Sequence, residues 1–291
     1  MISHSSHNKN GDARLAIIAG SGRLPVDVAL AAREQGIDPI IIAITGEADY
    51  DWSDFEYKEL PIANFAQVAK TLKNQNVDRV VLAGGIRNRP KVSDIRITLK
   101  MLFSFPKLLK DILAGGDDAL LRTTIKLFEM HGVTVVGAQD VVPNLLAVEG
   151  VLGVAGITQT DQIDIDIAAS AASQLGLDDK GQAAVAINGQ VVATEDANGT
   201  DAMLAKIADQ NQSNRLNGGS GVLVKLCKPQ QDRRADLPTI GPMSVHNAYK
   251  AGLAGIAVEA GRSFILDKEN VIKEADKYGL FVAGITRKAS S

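Results

Sequence analysis

The amino-acid sequence predicts an α/β protein in which a Rossmann-like parallel-sheet domain precedes an α/β domain with a mixed sheet. Short apolar runs that end in glycine alternate with helical segments, as in ARLAIIAG, its Gly-rich turn and VDVALAAREQG. Aromatic residues make up only 4% of the chain while glycines number 27, which favours α/β layers over β-sandwiches. A length of 291 residues favours two domains.

The domain boundaries follow from glycine content and patterning. We predict a disordered tail at 1–12, a Rossmann-like domain at 13–140, an interdomain connection at 141–157 and the second domain at 158–291. The net charge of −3 gives no broad basic field, so nucleic acid is not an expected partner. The single cysteine favours a reducing cytoplasm, and no run approaches the ~20 apolar residues of a membrane span.

The first domain alternates strands with helices. Strands are predicted at 13–20, 38–45 and 78–85, with a return to extended structure at 134–142. Helices are predicted after the first glycine turn, at 64–77 with Asn64 as N-cap, and at 115–132 with Asp117 or Asp118 as N-cap. Those two acids could instead reach a metal or a sugar from the sheet edge.

Glycine turns end two of these strands. Gly20, Ser21 and Gly22 form a turn that either binds phosphate or is a plain tight turn, since Pro25 replaces the third glycine of the dinucleotide fingerprint. No acid directly follows 38–45, which disfavours a nicotinamide cofactor. Gly85 and Asn88 are expected at the carboxyl edge of the sheet, where such folds bind ligands.

The segment 92–114 is apolar and carries Phe103, Phe105 and three lysines. It is either a core helix broken at Pro106 or, over 99–113, an amphipathic surface that meets acyl chains or a membrane.

The second domain reads as hairpins and helices, with a strong turn signal at Asn188-Gly189. Helices are predicted at 158–176, 199–210, 243–252 and 268–279, and strands at 178–189, 190–195, 221–228, within 253–267 and at 280–285. The mixed hairpin and crossover connections predict a mixed sheet.

A basic loop, KLCKPQQDRRADLPTIGP at 225–242, follows one of these strands. Cations beside Asp232 and Asp236 in a loop shaped by prolines suit phosphate chemistry, in which a carboxylate binds a metal or positions a water. The alternative is a solvated charged loop with an N-capping acid. No P-loop or nucleophile elbow is present, and His246 on a nearby helix suits a core or capping role better than catalysis.

The motifs IAGSGRLP, AGGDDALLR, DKGQAAV, GTDAML, DLPTIGP, AGLAGIAVEAGR and GLFVAGI, in this order, resemble the UDP-2,3-diacylglucosamine pyrophosphatases of the LpxI type. The resemblance implies cytoplasmic hydrolysis of UDP-2,3-diacylglucosamine to UMP and 2,3-diacylglucosamine 1-phosphate with Mg²⁺, in lipid A synthesis. It also implies a ligand cleft between two domains and a homodimer. The pattern at 99–113, together with a lipid-like substrate, adds the expectation of peripheral contact at the inner membrane. Rival interpretations are a Rossmann oxidoreductase and a non-catalytic nucleotide-sugar sensor.

The residues and the resemblance together predict the site. Asp236 is the catalytic residue, as metal ligand or water-orienting base, and the phosphate contacts are Lys225, Lys228 and Arg234. The remaining predicted substrate-binding residues are Gly20, Ser21, Gly22, Gly85, Asn88, Asp117, Asp118, Gln182 and Thr200.

Overall fold

The computed structural model describes residues 14–61, 64–86, 117–210 and 220–287. The chain divides into two compact units, Met1–Val142 and Pro143–Ser291. The predicted lipid-facing segment 99–113 and the predicted ligand residue Asn88 lie outside the described residues. Among the helices that the described ranges contain, none is both long and apolar enough to cross a bilayer.

The first unit is built on a parallel five-stranded sheet with the order β3-β2-β1-β4-β5. The strands are β1 (Arg14–Ala19), β2 (Ile40–Ile44), β3 (Glu56–Leu60), β4 (Val77–Ala83) and β5 (Thr134–Val136). The Rossmann-like parallel sheet is therefore confirmed. The strand order reverses direction at β1 and β4, so the carboxyl ends of these strands form the topological switch point of the sheet.

The strands of the first unit that were predicted are the buried ones, whose sequences are apolar. Every residue of β2 is buried, as expected for a central parallel strand covered on both faces. Strand β3 was not predicted, because its sequence EYKEL is polar and four of its five residues are exposed. It forms as an edge strand by parallel pairing with β2, from Ile40 opposite Glu56 to Ile44 opposite Leu60.

Four helices accompany this sheet in the described residues of the first unit: α1 (Leu24–Glu34), α2 (Phe65–Asn74), α3 (Asp117–Met130) and α4 (Ala138–Val141). The predicted cap of α2 is confirmed, since the Asn64 side chain accepts the Gln67 N–H at 3.2 Å. The extended prediction for 134–142 was wrong beyond Val136. There the Gly137 N–H donates to the Asp140 carboxylate at 3.0 Å, and this capping contact starts α4.

The second unit carries a mixed six-stranded sheet with the order β6-β13-β11-β9-β7-β8. Its strands are β6 (Gly150–Leu152), β7 (Ala183–Ile187), β8 (Gln190–Thr194), β9 (Val222–Lys225), β11 (Gly255–Glu259) and β13 (Phe281–Ile285). The central strands β9, β11 and β13 are parallel, and the flanking pairs are antiparallel. The predicted mixed sheet is confirmed, including the hairpin between β7 and β8.

Two short strands, β10 (Thr239–Ile240) and β12 (Phe264–Ile265), pair in parallel as a separate sheet. Strand β10 was not predicted, because its two residues lie in the proline-bounded part of the basic loop. Strand β6 was not predicted either, since it falls in the glycine-rich range 141–157. It pairs antiparallel with β13, and Gly150 there has a φ of 111°, which glycine tolerates best.

In the described part of the second unit, four α-helices cover the mixed sheet: α5 (Gln159–Leu177), α6 (Gly199–Gln210), α7 (Pro242–Lys250) and α8 (Lys268–Tyr278). Helix α5 packs through small buried residues, Ala168 and Ala172, against alanines and valines of β7 and β9. A second core joins the other three helices to the sheet, with Leu204, Val245 and Val271 among its members.

A buried carboxylate joins α5 to the β7–β8 turn. Helix α5 begins with a capping box between Thr158 and Asp161, as the prediction of a threonine near its start anticipated. One turn later Asp164, which is 1% exposed, accepts the Gly189 N–H at 2.7 Å and the Asn188 N–H at 3.1 Å. The two N–H groups of the hairpin turn therefore have a helix side chain as their acceptor.

We expect Asp164→Ala to lower the free energy of unfolding by about 2–3 kcal/mol, since it leaves two turn N–H groups without their charged acceptor. Urea unfolding followed by far-UV circular dichroism measures the change. Asp166→Ala is the matched control, because Asp166 lies on the same helix but is exposed, and it should stay within about 0.5 kcal/mol of the parent. Equal effects of the two substitutions would contradict this role of Asp164.

Candidate active site

The basic loop begins at the carboxyl edge of the mixed sheet. It follows β9 after Lys225 and ends in β10 and the start of α7 at Pro242. Its second half is held by strand pairing, since the Phe264 N–H donates to the Pro238 carbonyl at 2.8 Å. Leu237 and Ile240 are buried there. The proline-shaped segment is therefore a fixed frame rather than an open loop.

A clamp of Glu259 and Arg287 holds the first half of the loop at Cys227. Glu259 ends β11, and its 4%-exposed carboxylate accepts the Cys227 N–H at 3.0 Å and an Arg287 N–H at 2.7 Å. The same Arg287 nitrogen donates to the Cys227 carbonyl. Cys227 follows β9 and Arg287 follows β13, so the clamp joins the carboxyl ends of three neighbouring parallel strands.

Asp236 lies in the loop as an exposed acid, and a buried amide holds its carboxylate. The Gln231 side chain is 9% exposed, and its Nε2 donates to Asp236 Oδ2 at 2.8 Å. Gln231 Oε1 accepts the Lys228 N–H at 3.3 Å. The predicted catalytic acid is therefore positioned by the residues that follow the clamp.

The cations of the loop each contact an oxygen of the protein. Lys228 Nζ lies 2.9 Å from Asp179 Oδ1, and Lys225 Nζ donates to the Thr239 carbonyl at 3.4 Å. Arg234 forms a two-pronged pair with Asp232, at 2.9 Å through Nε and 2.7 Å through a terminal nitrogen. Each of these basic side chains is therefore held by a carboxylate or a carbonyl oxygen of the protein.

Two further predicted ligand residues, Gln182 and Thr200, converge on one acid. Glu195 Oε2 accepts the Gln182 N–H at 2.8 Å, and Glu195 Oε1 accepts the Thr200 hydroxyl at 2.5 Å. Gln182 precedes β7 and also connects to the basic loop's root, because its carbonyl accepts the Leu226 N–H at 2.9 Å. The structure thus brings Gln182 and Thr200 together and links them to the basic loop.

In the first unit the predicted glycine turns meet at the switch point. Ser21 and Gly85 exchange backbone hydrogen bonds of 2.8 and 2.9 Å, and the Ser21 hydroxyl donates to the Gly85 carbonyl at 3.0 Å. A Cβ on Gly20 would lie 2.4 Å from the Gly85 oxygen, so this close approach requires glycine. The carboxyl ends of β1 and β4 are therefore tied directly to each other.

Carboxylates surround the start of α1. The Gly22 N–H donates to both oxygens of Asp49, at 2.9 and 3.1 Å, and Asp27 lies in the first helical turn. This N–H is one that a bound phosphate would otherwise use. Asp117 and Asp118 are the first residues of α3, so they lie within its first turn rather than before it.

The sequence did not identify several residues that contact the predicted ones: Asp49 in the first unit, and Asp179, Glu195, Gln231, Glu259 and Arg287 in the second. Most of them act on backbone groups or on residues far away in the chain, and Arg287 reaches Cys227 over 60 positions. His246 lies beside Tyr278, with Nδ1 3.3 Å from the phenol oxygen, which agrees with a structural role. The ligand roles of the predicted residues stay predictions.

These features define a two-unit α/β protein in which a doubly wound sheet precedes a mixed sheet whose carboxyl edge presents an acid among cations. That arrangement is suited to enzymes acting on phosphorylated ligands. The chain belongs to the LpxI family. It matches the LpxI N-terminal domain over residues 14–145 and the LpxI C-terminal domain over residues 148–283.

A curated relative is similar to this chain over nearly the full length of both. The "UDP-2,3-diacylglucosamine pyrophosphatase LpxI" of Caulobacter vibrioides is 38% identical over 274 residues, which are 94% of this chain and 97% of the relative. Two solved structures match a part of the chain at a TM-score of 0.25. A UDP-N-acetylglucosamine 4-epimerase from Bacillus cereus is 17% identical over 43% of this chain and 37% of its own. A short-chain dehydrogenase from Leptospira borgpetersenii with bound NAD⁺ is 18% identical over 41% of this chain and 47% of its own.

The clamp should be visible in the chemistry of Cys227, the one cysteine of the chain. Burial, and then the nearby Glu259 carboxylate, raise the pKa of the Cys227 thiol to about 11. The thiolate fraction of the folded protein should therefore keep rising by about tenfold per unit between pH 8 and pH 10. Iodoacetamide labelling rates measured over this range test it, with urea-unfolded protein as the control. A folded-protein rate that levels off near pH 9 would contradict the buried, clamped thiol.

Proposed function

We propose that this protein hydrolyses the diphosphate of UDP-2,3-diacylglucosamine to UMP and 2,3-diacylglucosamine 1-phosphate in lipid A synthesis. The observation that carries the proposal is 38% identity to the Caulobacter pyrophosphatase over nearly the full length of both chains. The second unit supplies the chemistry that such a reaction needs, because the basic loop places an exposed carboxylate among cations. The reaction class is hydrolysis of a phosphoric anhydride.

Asp236 is the residue best placed to act on the attacking water. An ionised carboxylate can accept a hydrogen bond from water and orient the water's lone pair toward phosphorus. The Gln231 amide and the strand pairing of β10 fix the position of this carboxylate, and such positioning contributes much of the catalysis in phosphoryl chemistry.

Mg²⁺ fits the donor set of the basic loop. Within the described ranges no group of three or more His, Cys, Asp or Glu side chains could hold a metal by itself. Mg²⁺ does not require such a group, since it is commonly bound by one or two carboxylates together with substrate phosphates and water. Asp236 would be its protein ligand, because it is an exposed carboxylate held in place by a neutral amide. When bound, the ion would neutralise phosphate charge and polarise the anhydride.

The cations of the basic loop would bind the diphosphate by exchanging partners. Lys228 is paired with Asp179, whose side chain is 45% exposed, so that carboxylate can return to water when a phosphate replaces it. Arg234 offers two donors to phosphate oxygens in the geometry it now uses for Asp232. Lys225 adds a third positive charge at the end of β9.

The switch point of the first unit suits the polar, uncharged parts of the substrate better than its diphosphate. The Asp49 carboxylate occupies the Gly22 N–H at the start of α1, which opposes a phosphate there, while Asp27 is paired with Arg23. The Asp49 carboxylate and the Ser21 hydroxyl are groups that bind sugar hydroxyls. We therefore assign Gly20, Ser21, Gly22 and Gly85 to contacts with a ribose or glucosamine ring.

An NAD(P)-dependent oxidoreductase is the second candidate, favoured by the doubly wound order of the first sheet. The Asp49 carboxylate speaks against it, because a dinucleotide places its pyrophosphate at this helix start. We also propose a cytoplasmic location, which the single cysteine supports, with a homodimer and contact at the inner membrane surface as further proposals.

The direct test is a product assay on UDP-2,3-diacylglucosamine by mass spectrometry. We expect UMP and 2,3-diacylglucosamine 1-phosphate, with the rate falling by at least about 10²-fold in EDTA and returning with added Mg²⁺. Parallel incubations with NAD⁺ and NADP⁺ should give no hydride transfer. Tight substrate binding without products would instead identify a nucleotide-sugar sensor, and undiminished turnover after chelation would remove the metal from the proposal.

A further inference from the structure

The buried side chain of Gln231 has polar contacts on both ends of its amide. It is 9% exposed, and Nε2 donates to Asp236 Oδ2 at 2.8 Å. At the other end Oε1 accepts the Lys228 N–H at 3.3 Å, with Cys227 Sγ at 3.6 Å. A solvated loop residue would not be expected to bury and satisfy its amide in this way.

These neighbours select one orientation of the amide. A carboxylate accepts hydrogen bonds and a backbone N–H only donates, so Asp236 requires the NH₂ group and Lys228 requires the oxygen. The reversed amide would place two oxygens against each other at Asp236 and two N–H groups against each other at Lys228. The donor that faces Asp236 is therefore determined by the chain itself.

The anchor of Gln231 is in turn rigid. Its oxygen receives the N–H of Lys228, the residue directly after Cys227, and the clamp of Glu259 and Arg287 holds both backbone groups of Cys227. The Gln231 N–H also donates to the Lys228 carbonyl at 3.2 Å. One amide thus connects the Asp236 carboxylate to the carboxyl edge of the parallel strands.

We propose that Gln231 is a positioning residue for the reaction, holding the Asp236 carboxylate in the orientation that acts on the attacking water. The proposal rests on the proposed function of Asp236 and goes beyond it by assigning the group that aims it. A neutral amide suits this task, because it orients a carboxylate without neutralising the negative charge that a water or a hard cation requires. An arginine or lysine at the same place would pair with that charge.

The loop provides a matched control in the neighbouring residue. Gln230 is exposed, and its Nε2 donates to the Gly176 carbonyl at the end of α5, at 2.6 Å. Gln230→Met and Gln231→Met make the same chemical change one residue apart. Only the second removes a contact to Asp236.

The test is a kinetic double-mutant cycle with Asp236→Ala. We expect Gln231→Met to lower kcat by about 10- to 30-fold with KM changed less than about threefold, because a mispositioned group loses transition-state contact rather than substrate binding. In the Asp236→Ala background the same substitution should cost less than about twofold, since residues that act as a unit are not additive. Gln230→Met should stay within about twofold of the parent in both backgrounds.

Equal losses from Gln231→Met in the two backgrounds would overturn the proposal and leave a loop-stabilising residue. A Gln231→Met variant that changes KM but not kcat would also overturn the proposal. If the parent protein does not turn over UDP-2,3-diacylglucosamine, the proposed function fails. A urea-unfolding cycle on the parent, the two single variants and the double variant then tests whether Gln231 and Asp236 interact. Shifts in the unfolding midpoint that simply add would refute the contact between Gln231 and Asp236, whereas a double variant no less stable than the weaker single variant would retain it.

Discussion

The basic loop of this protein depends on the ion pair between the buried Glu259 and Arg287. Burying a carboxylate is costly unless it is paired and hydrogen-bonded, and Glu259 Oε2 accepts both an arginine N–H and a backbone N–H. Removing either partner would leave buried charge, so the clamp imposes one arrangement on Cys227. The Lys228 N–H then holds the Gln231 amide, and that amide holds the Asp236 carboxylate. Successive hydrogen bonds therefore connect the parallel sheet to an exposed acid of the loop.

Much of the fold follows from local sequence patterns. The apolar runs of β1, β2 and β4, the Asn-Gly turn of the β7–β8 hairpin and the caps at Asn64 and near Thr158 were all predicted where the structure has them. The elements not predicted are short or depend on tertiary contacts. Strand β3 is polar and forms on the exposed edge of β2, β10 is only two residues long, and α4 starts from a single capping contact at Asp140.

The residues of the candidate site also fall into two groups, those that a local sequence pattern marks and those that only distant contacts bring together. Asp236 and the cations were identifiable because they are close together in sequence, within a loop marked by prolines. Glu259 and Arg287 were not, because they reach Cys227 from 32 and 60 positions away, and no local pattern marks such contacts. The acids that pair with the cations, Asp179 and Asp232, turn the loop from a simple basic patch into a set of exchangeable ion pairs.

The most direct measurement of the central claim compares Asp236→Ala with Lys228→Ala in substrate binding and single-turnover rate. If Asp236 acts in the chemical step, Asp236→Ala should slow turnover by about 10²-fold or more while binding intact UDP-2,3-diacylglucosamine as tightly as the parent, or more tightly because a negative charge near the diphosphate is gone. Lys228→Ala should show the opposite pattern, with weakened binding. An Asp236→Ala protein that turns over at a near-normal rate would contradict the account and return the loop to a purely structural role.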